Sequence, residues 1–178
     1  MRVITGTARG RKLRTLEGES VRPTTDKVKE AMFSIIQFDI EGSRVLVMFC
    51  GCGQLGIEAL SRGAQSAVFV DISRSSIAVT EENLEATGFR SVSKTVLSNS
   101  LEYLDRTSEV FDIAFLDPPY KAGIMEDAIE RVRLHMADGG IIVCETGAEE
   151  VLDEDIEGFT SKRYKYGKIA LTVYRKVV

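Results

Sequence analysis

Apolar runs and amphipathic helical stretches alternate along the chain from residue 44 onward. The apolar runs predict five strands, at Arg44–Phe49, Ala67–Val70, Ser93–Leu97, Phe111–Leu116 and Ile141–Cys144. The stretches between them predict helices at Leu55–Arg62, Arg74–Thr87, Leu101–Leu104 and Ile124–Met136. Strands this continuously apolar are typical of a sheet that is covered on both faces. The alternation therefore predicts an α/β fold with a doubly wound, mostly parallel sheet and right-handed crossovers.

Further elements flank this alternation at both ends. Residues 1–16 predict two short strands around Ala8-Arg9-Gly10, and Thr24-Thr25-Asp26 predicts the start of an amphipathic helix. Near the other end, Thr160–Tyr166 and Lys168–Arg175 predict a final antiparallel hairpin. We therefore expect an N-terminal β-hairpin extension over residues 1–22 and a main domain over residues 23–178.

Length and composition favour one globular domain. The chain has 178 residues, 44% of them apolar, and no apolar run long enough to cross a bilayer. We expect a soluble, cytoplasmic protein, a monomer that does not contact membranes.

Of the three cysteines, Cys50 and Cys52 form a C-x-C pair, but with a single histidine the chain is poor in zinc ligands, so packing is favoured over metal binding.

The positive charge is concentrated at the N-terminus. Residues 1–16 carry five basic residues and no acid, whereas the rest of the chain sums to −9 for an overall −4. The basic residues are Arg2, Arg9, Arg11, Lys12 and Arg14. This asymmetry predicts a localised contact with a polyanion, although a solvated hairpin that binds nothing explains it equally well.

A glycine-rich turn follows the first predicted strand. Gly51, Gly53 and Gly56 form a G-x-G-x-x-G pattern between a strand and a helix, and Asp71 ends the next strand about twenty residues later. Glycines let a ligand approach the backbone closely, and a carboxylate at this spacing can accept hydrogen bonds from ribose hydroxyls. The pattern predicts a ribose-bearing cofactor without saying which one.

The fourth predicted strand ends in Asp117-Pro118-Pro119-Tyr120. The two prolines restrict the residues before them, so Asp117 and Pro118 are held stiffly at the ligand-binding edge of the sheet. A fixed carboxylate and carbonyl can accept hydrogen bonds from the N–H groups of an exocyclic base amine, and Tyr120 can stack on an extruded base. We therefore predict that Asp117, Pro118 and Tyr120 are catalytic residues for methyl transfer to the exocyclic amine of a base.

Other functions fit parts of the pattern. An NAD-dependent oxidoreductase would share the glycine turn but leave the Asp-Pro-Pro-Tyr segment without a role. Two further alternatives are not excluded by the sequence. One is a methyltransferase that acts on DNA adenine N6 amines, on small molecules or on proteins, and the other is a non-catalytic RNA-binding or assembly module.

Nearly the whole chain resembles the bacterial 16S ribosomal RNA guanine-N2 methyltransferases, within the wider N6-adenine/N2-guanine group. The likeness includes residues 2–13, 22–31 and 55–64 and the Asp-Pro-Pro-Tyr segment. It implies a Rossmann-like seven-stranded methyltransferase sheet, S-adenosylmethionine as cofactor with S-adenosylhomocysteine as product, and 16S rRNA or a partly assembled small ribosomal subunit as partner.

The resemblance also implies residue roles. Arg22–Thr25 would border the methionine end of the cofactor, Gly51 and Gly53 would pack against it, Asp71 would hold its ribose, and Asn99 would lie near its adenine. The cofactor-binding residues predicted in full are Arg22, Thr24, Thr25, Phe49, Gly51, Gly53, Leu55, Gly56, Asp71, Ile72, Asn99, Ser100 and Asp117. The five basic residues near the N-terminus are predicted to bind RNA, and no metal site is predicted.

Two positions depart from the family pattern. The family usually has an acid where this chain has Val47, so we expect cofactor binding that is retained but weakened. The family usually has Asp at the position of Asn99, whose side-chain oxygen we expect to accept from the adenine amine.

Overall fold

The structure, a computed structural model, describes residues 1–16, 25–119 and 123–178. Within these ranges the chain forms five α-helices and seven strands. The helices are α1 (Asp26–Ile35), α2 (Gln54–Ser61), α3 (Arg74–Thr87), α4 (Ser100–Arg106) and α5 (Ile124–Val132). The strands are β1 (Arg44–Met48), β2 (Ser66–Asp71), β3 (Ser93–Leu97), β4 (Phe111–Leu116), β5 (Met136–Gly147), β6 (Phe159–Tyr166) and β7 (Ile169–Lys176).

All seven strands form one sheet, in the order β3-β2-β1-β4-β5-β7-β6. The first five strands are parallel, and β7 and β6 continue the sheet antiparallel to β5 and to each other. The predicted doubly wound α/β fold with a C-terminal antiparallel hairpin is therefore confirmed. The order reverses direction between β1 and β4, which is where open α/β sheets bind ligands.

Two apolar layers cover the sheet. One contains the apolar residues of α1 and α2 against Val45, Val47, Phe69 and Phe115. The other contains those of α4 and α5 against Leu46, Met48 and Leu116. Alternate residues of each central strand enter opposite layers, so these strands are apolar throughout, as their sequence indicates.

The boundary between α5 and β5 differs from the prediction. The helix predicted over Ile124–Met136 ends at Val132, a short 3₁₀ turn covers Arg133–His135, and β5 begins at Met136 rather than Ile141. Met136 pairs with Phe111, and the register between β4 and β5 then shifts before Ile113 pairs with Ile141. The Gly139-Gly140 pair therefore lies in an irregularity inside the strand, which sequence periodicity cannot distinguish from a turn before it.

The N-terminal segment is not a regular hairpin. Residues 1–16 double back, but only one antiparallel bridge forms, between Arg2 and Lys12. Beyond Val3, the backbone N–H groups of Ile4 and Thr5 donate to the carboxylate of Glu58, at 2.9 and 3.0 Å, and not to the opposite arm of the segment. Val3, Ala8 and Leu13 are buried in the core layer beneath α2, so the segment packs on the main domain.

Candidate functional site: the carboxyl edge of the sheet

The turn between β1 and α2 is shaped by three residues with positive φ. These are Phe49 (+55°), Gly51 (+55°) and Gly53 (+83°). A non-glycine residue with a positive φ is uncommon, and such residues concentrate at ligand sites. The Phe49 N–H donates to the hydroxyl of Ser100 at 3.2 Å, which ties this turn to the start of α4.

Asp71, at the end of β2, lies directly beside the glycine turn. Its Oδ2 accepts from the N–H of Gly51 at 2.9 Å, and its Oδ1 accepts from the N–H of Ser73 at 2.9 Å. A carboxylate offers about four lone-pair sites, so both oxygens can accept further bonds. The structure thus brings the predicted turn and the predicted ribose acceptor into direct contact.

The three glycines of the motif have different surroundings. A Cβ added at Gly51 would meet no atom within 4 Å, so this residue faces open space. A Cβ at Gly53 would lie 2.9 Å from Thr80 Cγ2, and one at Gly56 would lie 2.3 Å from the Phe69 ring. The Cβ directions of Gly53 and Gly56 therefore face the protein's own α3 and β2, whereas that of Gly51 faces open space.

Two buried polar residues of α3 hold the turn from behind. The Thr80 hydroxyl donates to the carbonyl of Gly51 at 2.8 Å. The Asn83 amide donates at 2.9 Å to the carbonyls of both Cys52 and Arg14, and its oxygen accepts from the Arg14 N–H at 2.8 Å. Neither residue is predicted for the site from the sequence. Their signal is a polar side chain at helical spacing on the face of α3 that also carries Ile77 and Leu84.

Asn99 takes a different role from the one expected of its oxygen. It is the N-cap of α4, and its Oδ1 accepts from the N–H groups of Leu101 and Glu102 at 2.9 and 3.2 Å. Because an amide oxygen has two lone pairs, this cap leaves the Nδ2 group as the part of Asn99 suited to a ligand, as a donor rather than an acceptor. Nearby, Leu97 pairs with Asp71, and the apolar side chains of Leu97 and Ile72 are 43% and 70% exposed.

Asp117 directly follows β4, which is the neighbour of β1. Leu116 pairs with Met48, so Asp117 and Phe49 each lie one residue beyond a paired position at the same edge. Asp117 and Pro118 are half-buried. The carboxylate and the glycine turn thus end adjacent parallel strands. Tyr120, Arg22 and Thr24, also predicted for this site, lie outside the described residues.

Thr25 caps the helix that begins at this edge. Its hydroxyl accepts from the N–H of Val28 at 3.3 Å. The opposite end of α1 lies at the amino edge, where the Ile35 carbonyl accepts from Arg175, the partner of Ile141 in the sheet. The start of α1 is consequently at the carboxyl edge, the side of the glycine turn.

A buried ion network fastens the N-terminal segment. Glu58 and Lys29 are both fully buried, with Glu58 Oε1 3.5 Å from Lys29 Nζ and its Oε2 2.9 Å from Arg62 Nε. Lys29 Nζ also donates to the Arg2 carbonyl at 2.9 Å. The sequence does not predict this network, because a helical pattern does not distinguish a buried ion pair from a solvated one.

The side chains of all five predicted RNA-binding residues are exposed. Three of them contact the protein: Arg2 pairs with Asp26 at 3.8 Å, Arg14 pairs with Glu82 at 2.5 Å, and Arg11 donates to the Ala86 carbonyl at 3.2 Å. The contacts of Arg11 and Arg14 are to α3, and that of Arg2 is to α1.

The cysteines are packed as thiols. Burial raises the pKa of Cys50 and of Cys144 far above the ordinary range, so both stay protonated. In the described ranges no three His, Cys, Asp or Glu side chains are grouped so as to hold a metal ion. No helix within the same ranges has the length and apolarity needed to cross a membrane.

Comparison with known proteins identifies the family. The family described as "Conserved hypothetical protein 95" matches residues 1–175. The chain belongs to this family. YlbH of Bacillus subtilis is 36% identical over 182 residues, covering 99% of both chains. Ribosomal RNA small subunit methyltransferase D of Escherichia coli is 32% identical over 179 residues, covering 99% of this chain and 90% of its own.

Solved structures agree with this family assignment. The Escherichia coli protein yhhF superposes with a TM-score of 0.89 at 32% identity, covering 99% of this chain and 98% of its own. SMU.776, solved in complex with SAH, shares the fold with a TM-score of 0.68 at 16% identity, covering 82% of this chain and 48% of its own. The predicted resemblance to ribosomal RNA methyltransferases and the Rossmann-like methyltransferase fold are both confirmed.

Proposed function

We propose that this protein transfers a methyl group from S-adenosylmethionine to the N2 amine of a guanine in small-subunit ribosomal RNA. The observation that carries the proposal is the placement of Asp117 and the glycine turn at the same edge, after the adjacent parallel strands β4 and β1. The names of the relatives support ribosomal RNA as the substrate class.

The residues at the glycine turn fit S-adenosylmethionine. Gly51 faces open space, and the Asp71 carboxylate beside it retains lone pairs for two ribose hydroxyls. The exposed side chains of Ile72 and Leu97 offer an apolar surface for adenine, and the amide of Asn99, two residues after Leu97, is available as a donor. When bound, this cofactor supplies an electrophilic methyl group on a sulfonium.

The residues after β4 suit the acceptor amine. The lone pair of an exocyclic amine is delocalised into the base, so the amine is a weak nucleophile. Acceptors that take hydrogen bonds from its N–H groups make it more nucleophilic. In the proposed mechanism the Asp117 carboxylate and the Pro118 carbonyl accept hydrogen bonds from the two N–H groups and so orient the amine. Tyr120 is proposed to stack on the base, which has to leave its helix or lie in a loop to enter.

The N-terminal segment is proposed as an RNA contact. Its cations are exposed, and the segment is bound through Asn83 to the same turn that carries Gly51. Arg9 and Lys12 are the members for which we propose direct phosphate contacts, because their side chains point to solvent without an ion pair to another described residue.

Methyl transfer to small-subunit RNA and to partly assembled subunits from a strain lacking this protein tests the proposal. Mass analysis of the modified nucleotide should find N2-methylguanine in the wild-type reaction. N6-methyladenine instead would favour the alternative acceptor, and RNA binding without transfer would favour a non-catalytic module.

Asp117→Ala is expected to lower kcat/KM by at least about a hundredfold, because the amine loses the acceptor that orients it. Binding of S-adenosylhomocysteine, measured by calorimetry, should stay near the wild-type value. Asp112→Ala, on the same strand at the amino edge, is the matched control and should keep turnover. Ordinary rates in the Asp117→Ala protein would exclude the proposed role.

A further inference from the structure

The C-terminal hairpin carries a second concentration of positive charge. Residues 159–176, which span β6 and β7, contain six Lys and Arg residues and no Asp or Glu. Lys162, Lys165 and Lys168 are exposed, and none of the three forms an ion pair with another described residue. The N-terminal segment therefore does not hold all of the cations available to a polyanion.

The two faces of β6 differ in their surroundings. Lys162 and Tyr164 pair with Val173 and Leu171, which belong to the layer containing α1, so both lie on that face. Lys165 is on the other face, next to Arg163, which donates to the Ala148 carbonyl. The acidic connection over residues 149–157 lies on this second face, where Leu152 and Ile156 pack in the layer containing α5.

Lys162 and Tyr164 form one compact unit. The Lys162 ammonium lies over the Tyr164 ring, 5.1 Å from its centroid. Tyr164 and Tyr166 are half-buried and rest against the core, so their rings are held rather than free in solvent. A supported aromatic ring next to a cation can stack on a base and contact its phosphate at once.

The register of the sheet places this unit level with the proposed active site. Leu116 pairs with Cys144, so Asp117 is level with Glu145 on β5. Glu145 pairs with Leu171 on β7, and Leu171 pairs with Tyr164 on β6. Three inter-strand steps separate Asp117 from Tyr164, a span of about 14 Å. That span is short enough for one RNA strand to contact both.

We propose that Lys162, Tyr164 and Tyr166, the hairpin surface, form a second RNA-binding surface that holds nucleotides flanking the target base. This inference rests on the proposed function for the identity of the polyanion. RNA is favoured over an acidic protein because the surface places a cation beside two supported aromatic rings on one strand face. Lysines on an outer strand also prevent edge-to-edge pairing, but that role needs neither the aromatic rings nor one particular face.

Single variants measured against small-subunit RNA over a range of salt concentrations test the proposal. Lys162→Gln should weaken binding about fivefold near 0.1 M salt and lower the slope of log K against log salt by about 0.7, as expected for one lost contact to a single strand. Tyr164→Leu keeps an apolar side chain against the core and should weaken binding about tenfold with an unchanged salt slope, because it removes stacking alone.

Lys165→Gln is the matched control, since it removes the same charge from the same strand on the opposite face. Its affinity and salt slope should match the wild-type protein. Equal losses in Lys162→Gln and Lys165→Gln, or no loss in either, would overturn the proposal. Self-association of Lys162→Gln at unchanged RNA affinity would also overturn it, by assigning the lysine to edge protection.

Methyl transfer by the wild-type protein separates this proposal from the proposed function. If the wild-type protein transfers methyl groups while all three variants bind RNA equally, only the hairpin surface is excluded. If it binds RNA through Lys162 and Tyr164 but transfers nothing, the proposed function fails and the hairpin surface stands. An absence of any RNA binding excludes both.

Discussion

At the scale of single residues, Val47 lies at the position in β1 where the resemblance to the methyltransferases implies an acid. Its side chain is 3% exposed and points into the apolar layer beneath α2, where a Cβ on Gly56 would meet its Cγ2 at 2.8 Å. Val47 thus fills the space behind the glycine turn with apolar atoms. Its side chain can pack against α2 but cannot accept hydrogen bonds from the turn.

Val47→Asp is expected to tighten S-adenosylmethionine binding and to lower the melting temperature, because it adds an acceptor behind the turn at the cost of burying a charge. Calorimetry and thermal unfolding measure the two effects. Val47→Asn is the matched control and separates hydrogen bonding from charge. Weaker cofactor binding in Val47→Asp than in the wild-type protein would contradict the prediction.

Gly51 and Gly56 are predicted to respond differently to alanine. Gly56→Ala forces a Cβ into the Phe69 ring and should reduce the free energy of unfolding by about 1–3 kcal/mol through overpacking. Gly51→Ala meets open space but needs a positive φ, costing about 1–2 kcal/mol, and should in addition weaken cofactor binding. Denaturant unfolding combined with calorimetry distinguishes them, and unchanged cofactor affinity in Gly51→Ala would show that the open space is not the cofactor site.

At the scale of elements, the N-terminal segment depends on α2. Glu58 accepts from two backbone N–H groups of the segment while balancing Lys29 and Arg62. Breaking one partner of a fully buried ion pair leaves the other charge without compensation, which is far more costly than losing an exposed pair.

Glu58→Gln is therefore expected to reduce the free energy of unfolding by about 3–5 kcal/mol, because Lys29 stays buried without its counter-ion. Glu82→Gln, which removes the exposed partner of Arg14, should cost less than about 1 kcal/mol. Urea unfolding measures both. Similar values for the two variants would show that the buried network contributes no more than a surface pair.

At the scale of the whole molecule, one side chain joins the two predicted binding regions. Asn83 donates to the carbonyl of Cys52 in the glycine turn and to the carbonyl of Arg14 in the N-terminal segment. We expect a ligand that fixes either region to reduce the freedom of the other through this shared partner, and coupling between two binding sites is reciprocal.

We expect S-adenosylhomocysteine to tighten RNA binding about fivefold, and RNA to tighten S-adenosylhomocysteine binding by the same factor. In Asn83→Ala both factors should fall toward one. RNA titrations with and without S-adenosylhomocysteine measure the coupling. Retention of the full effect in Asn83→Ala would place the coupling elsewhere.

Much of this architecture follows from local sequence patterns. The start of α1 at Asp26, the strands β1 to β4 and the C-terminal hairpin could be predicted because apolar period, capping residues and turn glycines are local signals. The end of α5 could not, because β5 takes residues from Met136 onward through pairing with Phe111, a contact between distant segments.

By itself, the sequence determined the α/β class, the glycine turn with Asp71, the position of Asp117 after a strand, and the family. The tertiary structure alone decided which glycine faces open space, that the Asn99 oxygen caps α4, and that Thr80, Asn83 and Glu58 hold the turn and the N-terminal segment. It also decided that Lys162 and Tyr164 lie level with Asp117. The physical reason is that spacing along the chain sets backbone conformation, whereas the partners of a polar side chain depend on which distant segments pack against it.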